Sequence, residues 1–124
     1  IESFYNKAKD NKYIIYSVRG QLNFNNNIDG CLDKQKIIVN EVSQLFKNLK
    51  FKDRKVKHGV DKTGNSIVYT KELEFENKDE IRIACIDWSD KMAKENNWID
   101  GMFVALSSDE LLTWVSEEAS NKLM

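Results

Sequence analysis

Residues 66–88 read SIVYTKELEFENKDEIRIACIDW. In the first part Ile67, Tyr69, Leu73 and Phe75 alternate with Thr70, Glu72, Glu74 and Glu76. That period of two places one face of a strand in a core and the other in water. Asn77-Lys78-Asp79 is turn chemistry, and Glu80 to Trp88 then resumes as a strand. There Ile81, Ile83 and Cys85 fall on one face while Ala84, Ile86 and Trp88 fall on the other, so both faces of this arm are expected to be covered. Two arms joined by so short a turn pair antiparallel.

Upstream the same logic extends the sheet. Lys55 to Val60 reads as a preceding arm, with Asp61-Lys62-Thr63-Gly64-Asn65 as the turn. Lys12 to Arg19, KYIIYSVR, is β-branched and aromatic on both faces, which predicts an interior strand. Residues 20–30 read as an Asn-rich loop. A helix over about residues 33–50 is expected, capped by Asp33, with Ile38, Val42, Leu45 and Leu49 as its stripe, joined by Ile37 and Phe46. Downstream, Ser89-Asp90 opens a short helix to about Asn97, and Met102 to Leu106 is a further strand. Ser107-x-x-Glu110 has the spacing of a capping box ahead of a last helix, with Leu111, Leu112, Val115 and Ala119 on one side. The expected order is β-α-β-β-β-α-β-α: an α+β class, mainly antiparallel sheet of about five strands with packed helices, as a single domain over residues 1–124.

Composition agrees with a folded chain of this size. Of 124 residues 41% are hydrophobic, including three Trp, four Tyr and six Phe, enough for one core despite 31% charge. The longest apolar runs are too short to span a bilayer, and the first residues lack the basic-then-apolar order of a signal peptide. Two cysteines, Cys31 and Cys85, show no metal or redox spacing. With Cys31 assigned to a loop and Cys85 to a strand, free thiols in a reducing, cytoplasmic compartment are expected.

The net charge of −1 hides an asymmetry. Residues 1–70 hold 13 Lys or Arg against 7 Asp or Glu, and residues 71–124 hold 6 against 13. In the first half Lys47, Lys50, Lys52, Arg54, Lys55 and Lys57 gather within eleven residues; such a patch suits phosphate contact, but a solvated helix end and edge strand is the favoured reading, and a nucleic-acid partner is not expected. His58, the only histidine, has no nucleophile placed beside it by a recognisable motif, and no phosphate-loop glycine pattern occurs.

Two constellations carry functional readings. Glu72, Glu74, Glu76 and Asp79, then Asp87 and Asp90, make an acidic run near Trp88 and Trp98. Like charges on one strand face repel, a cost easier to understand if a basic partner meets them. The expected function is therefore a small intracellular inhibitor, of the kind bacteria make as immunity proteins, neutralising a basic toxin or nuclease. No catalytic residue, metal or cofactor is assigned in that reading. The alternative is a Mg²⁺-dependent nuclease of PD-(D/E)xK-like order, with Asp53 and Glu76 holding the ion and Lys78 steadying charge. A third is an accessory domain docked on a larger complex.

Overall fold

Asn27 starts the first helix by accepting a hydrogen bond on its side-chain oxygen from Gly30 N at 2.9 Å. That satisfies one of the amides a helix start leaves free. The helix so begun, α1 (Ile28–Leu45), starts five residues before the position expected from Asp33, and Cys31 lies inside it. The computed structural model describes residues 2–7 and 13–123. Around α1 it places β1 (Glu2–Lys7), β2 (Tyr13–Asn23), β3 (Lys52–Lys57), β4 (Ile67–Glu74), β5 (Glu80–Asp87), α2 (Asp90–Asn96), β6 (Gly101–Ser107) and α3 (Asp109–Leu123).

The strands form one antiparallel sheet in the order β1-β2-β6-β5-β4-β3. The α+β class and the order from β2 onward are as expected, and β1 is one strand more. Strand β2 does lie in the interior, between β1 and β6. Its expected first residue, Lys12, lies outside the described residues, as do the side chains of 13–16. It continues four residues past Arg19 into the Asn-rich stretch, because residues 20–23 pair with 101–104.

One face of the sheet is covered by α1. Cys31, Leu73, Ile81, Ile83, Cys85 and Met102 form the buried core, with Val39, Val42 and Phe46 packed against it from the helix. Burying a side chain such as Leu73 or Ile83 contributes roughly 1.5–3 kcal/mol. The expected stripe was partly rotated: Leu45 and Ile37 are 76% and 50% exposed. Gln35 takes a core position instead, and its Nε2 donates to the carbonyls of Ile83 at 2.8 Å and Tyr69 at 3.0 Å. Just one turn earlier Cys31 is bonded to Cys85, tying α1 to β5. This overturns the expectation of free thiols. The sequence placed Cys31 in a loop, but on the inner face of α1 it lies directly over the strand that carries Cys85.

Two further caps are settled by geometry. Ser89 caps α2 as expected, accepting from Met92 N at 3.3 Å, and Asn97 ends it at φ 55°. The cap of α3 is Ser108, which accepts from Leu111 N at 3.2 Å, whereas Ser107 remains in β6. The side chains of Val115 and Ala119 lie outside the described residues. No helix among the described residues is long and apolar enough to cross a membrane.

Candidate binding surface at the aromatic end of the sheet

The face of the sheet opposite α1 carries alternate residues of every strand. Glu72 pairs across the ladder with Arg82, Ala84 with Phe103, and Phe103 with Gln21. Its middle is an ion-pair network. Glu72 Oε1 lies 3.4 Å from both Arg54 Nη1 and Arg82 Nη2, and Arg82 Nε lies 3.0 Å from Glu80 Oε1, off the N–H axis. Burial raises the Glu80 carboxyl above its ordinary range; Arg82 opposes this, while Glu72 and Glu74 reinforce it.

The acidic residues singled out in the sequence do not form one patch. Glu74, Glu76 and Asp79 sit at the β4–β5 turn, whereas Asp87, Trp88, Asp90 and Trp98 sit at the far end of β5. At about 3.3 Å per residue the eight residues of β5 hold these ends roughly 23 Å apart. Glu72 is engaged by two arginines between them. Asp79 is a structural group: Oδ1 accepts from Asp109 N at 3.0 Å and Oδ2 from Asn77 Nδ2 at 2.9 Å. Glu74 and Glu76 are exposed.

At the other end the sheet carries a row of three aromatic rings in tilted contact. The Trp88 ring lies 4.6 Å from His58 and 4.6 Å from Trp98, centroid to centroid, and Trp98 remains 36% exposed. Exposed Leu22 and Ile99 flank it. Next to this row Asp87 is pushed above the ordinary carboxylate range, first by burial and then by the charges of Asp100, Asp90 and Asp29. Among the described residues no Lys or Arg forms an ion pair with any of these four aspartates. Asp100 has one fixed role, accepting from Trp88 N at 2.9 Å.

Beneath the aromatic row lies a buried carboxylate. Asp61 is 4% exposed and joins the β3–β4 loop to the start of α2. Its Oδ2 accepts from Ser66 Oγ at 2.6 Å and Ser89 Oγ at 2.8 Å; its Oδ1 accepts from Thr63 Oγ1 at 2.7 Å and Thr63 N at 3.0 Å. The Ser66 and Thr63 hydroxyls, with lesser help from Ser89, hold it well below the ordinary carboxylate range against the opposing effect of burial. Sequence reading saw Asp61 only as turn chemistry. Its partners lie 2, 5 and 28 residues away, and the farthest has no local signal.

The nuclease trio does not converge. The hairpin register pairs Asp53 with Lys71, and their side chains meet at 2.8 Å. Glu76 lies beyond the end of β4, five positions further along, and Lys78 occupies the turn at φ 69°. No group of three metal-capable side chains occurs among the described residues. The basic cluster spreads over the loop after α1 and the edge strand β3, whose six residues are all exposed. There Lys52, Arg54, Lys55 and Lys57 have the charge that discourages edge-to-edge pairing. No family model matches the sequence, and neither a curated protein nor a solved structure shows significant similarity to it.

Proposed function

We propose that the protein is a binding domain of the inhibitor or immunity kind, occluding a basic protein partner with the aromatic end of its sheet. The observation that carries this is the placing of Asp87, Asp90 and Asp100 at the end of β5 that also holds the exposed Trp98, without a cation bound to any of them among the described residues. Mutual repulsion there costs stability, and cationic groups from a partner would relieve it while steering encounter. Trp98, backed by Trp88, supplies the kind of anchor that dominates interface energetics. The surface is thus narrower than the sequence implied: Asp87, Asp90, Trp88 and Trp98 stay in it, and Glu72, Glu74, Glu76 and Asp79 fall outside it.

The meeting place also changes from the cytoplasm. Disulfides persist in oxidising compartments and are rare in reducing ones. The Cys31–Cys85 bond therefore supports encounter with the partner outside the reducing cytosol.

The test is capture of partners from native extract on immobilised protein, at low salt and again at about 0.5 M, where exposed charge pairs are screened. A single basic protein, retained by a Glu74→Gln/Glu76→Gln variant and lost with Asp87→Asn/Asp90→Asn or Trp98→Ala, supports the reading. Loss with the Glu pair and retention with the Asp pair would move the surface to the opposite end. Recovery of no stoichiometric basic partner would overturn it.

A further inference from the structure

Strand β3 is an edge of the sheet, with β4 on one side and no strand on the other among the described residues. His58 N donates to Ser66 O at 2.9 Å, and the register runs on with Val56 opposite Val68 and Arg54 opposite Thr70. In an antiparallel ladder such residues give their backbone groups to the partner strand, and the alternate ones turn theirs outward. The N–H and C=O groups of Asp53, Lys55 and Lys57 therefore point away from the sheet, and all three residues are exposed. A cleft of about 370 Å³ borders this edge, lined by Leu32 and Lys36 of α1 and by Lys55. Lys36, Lys55 and Lys57 enter no ion pair among the described residues, whereas Asp53 is answered by Lys71. On the other face Val56 lies opposite Val68, and Val68 opposite Ile86, so an apolar row ends at the edge with Val56 39% exposed. Strands β1 and β2, and α3 packed on β2, belong to the opposite side of the sheet.

We infer that this edge takes up an additional strand, an extended acidic segment of another protein in which carboxylates alternate with apolar residues. Outward N–H and C=O groups in alternation are answered by another backbone; phosphates accept hydrogen bonds but leave the carbonyls unanswered. Side chains opposite one another share a face. Acids opposite Lys55 and Lys57 thus enter on the side of α1, where Lys36 adds a third cation. The residue between them lies opposite Val56 and extends the row that Val56, Val68 and Ile86 begin. A second copy of the chain does not fit. Its own β3 would set Lys against Lys, and its β1, Glu2-Ser3-Phe4-Tyr5-Asn6-Lys7, carries one acid. The charge that keeps copies of this edge apart is the charge that selects an acidic strand. The site uses none of Asp87, Trp88, Asp90 and Trp98, and its occupant is acidic where the proposed interface takes a basic protein, so the two readings fail separately.

Fluorescence anisotropy of a labelled short peptide of alternating Glu and Val, titrated with the oxidised protein, tests this. Saturable binding is expected, at least about tenfold tighter than for the Gln-Val counterpart. The same peptide N-methylated at its Glu residues, whose N–H groups would face β3, keeps its charge and is expected to bind at least about tenfold more weakly. Lys55→Glu/Lys57→Glu is expected to invert the preference, toward a Lys-Val peptide. Asp53→Pro removes an acid and one outward N–H while leaving the β3–β4 hydrogen bonds in place. Strand addition predicts weaker binding by this variant, and attraction by charge alone predicts tighter. Should it fail to fold by circular dichroism, amide exchange in the wild type draws the same distinction, with the N–H groups of Asp53, Lys55 and Lys57 gaining protection when peptide binds. Absence of saturation, equal affinity for the Gln-Val or N-methylated peptide, or an oligothymidylate of the same charge binding as tightly would overturn the inference. A dimer that forms without peptide and is broken by Asp53→Pro would overturn it too, giving the edge to a second copy.

Discussion

The Ser89 hydroxyl donates to Asp61 Oδ2 at 2.8 Å and, with the same oxygen, accepts from Met92 N at 3.3 Å. One side chain thus links a buried loop carboxylate to the first turn of α2. The aromatic row depends on this link, because Trp88 precedes Ser89 and His58 begins the loop that Asp61 organises: Asp61 N donates to His58 O at 3.1 Å.

Replacing Asp61 with Ala leaves the Ser66, Ser89 and Thr63 donors without their acceptor. Buried polar groups deprived of a partner are a recognised cause of severe destabilisation. A drop of several degrees in the melting midpoint is expected, with loss of the near-ultraviolet signal of Trp88 and Trp98. The pH dependence has a definite sign. The folded carboxyl titrates below the unfolded value of about 4, so its contribution is complete above about pH 4 and declines as pH falls below it. Wild type and Asp61→Ala should therefore converge in stability only under strongly acidic conditions, measured by denaturant titration across pH.

Gln35 is a polar side chain in the core, and its value lies in donating. Its amide reaches two sheet carbonyls, one on β4 and one on β5. Gln35→Leu removes two hydrogen bonds and should cost about 1–3 kcal/mol. Gln35→Glu is nearly the same shape but sets a carboxylate against two carbonyl oxygens. It is expected to be the less stable variant at neutral pH, with the gap closing as the Glu protonates. Equal stability of the two at neutral pH would show that the amide is not a donor there.

The disulfide spans 54 residues of sequence between α1 and β5. Constraint of the unfolded chain by a loop of that length corresponds to about 4 kcal/mol. A Cys31→Ala/Cys85→Ala variant should show that order of loss in chemical denaturation and no further response to reductant. Wild type should respond to reductant only slowly, because both sulfurs lie in residues with no exposed surface. Mass analysis of protein from its native compartment, with and without alkylation, tells whether the bond is present there.

Much of the sheet was legible because the period of two in 67–76 and 81–88 survives in the register. Residues 67 and 87 pair, as do 74 and 80, around the very turn that Asn77-Lys78-Asp79 marked. The helix start was not legible: Asp33 resembles a cap, but Asn27 stands where the first free amides are. Reading α1 as starting late put Cys31 outside it and hid the pairing with Cys85. The separation of the acidic residues was hidden for a different reason. Neighbours along a strand face look like a patch in sequence, but Glu72 lies opposite Arg82 and the strand's length separates the remaining acids. Arg19 over Phe103 and the tilted Trp88–Trp98 contact join positions that only the folded chain brings together.

Asp87 offers the sharpest contrast with Asp61. Its carboxyl is raised, by burial first and then by Asp100, Asp90 and Asp29, so the folded protein holds the proton more tightly than the unfolded chain. Ionisation of this group works against folding. Its penalty is absent below the unfolded value of about 4, appears as pH rises from there, and is complete once pH passes the raised folded value. Asp87→Asn should therefore raise the melting midpoint at neutral pH and change it little near pH 3. The same substitution removes a charge from the proposed interface, so gain in stability should accompany loss of the basic partner. A residue kept only for solubility would show neither effect, and one kept for the fold would show the opposite sign of the first. Melting curves of Asp87→Asn and wild type at the two pH values, followed by capture at low salt, separate these cases.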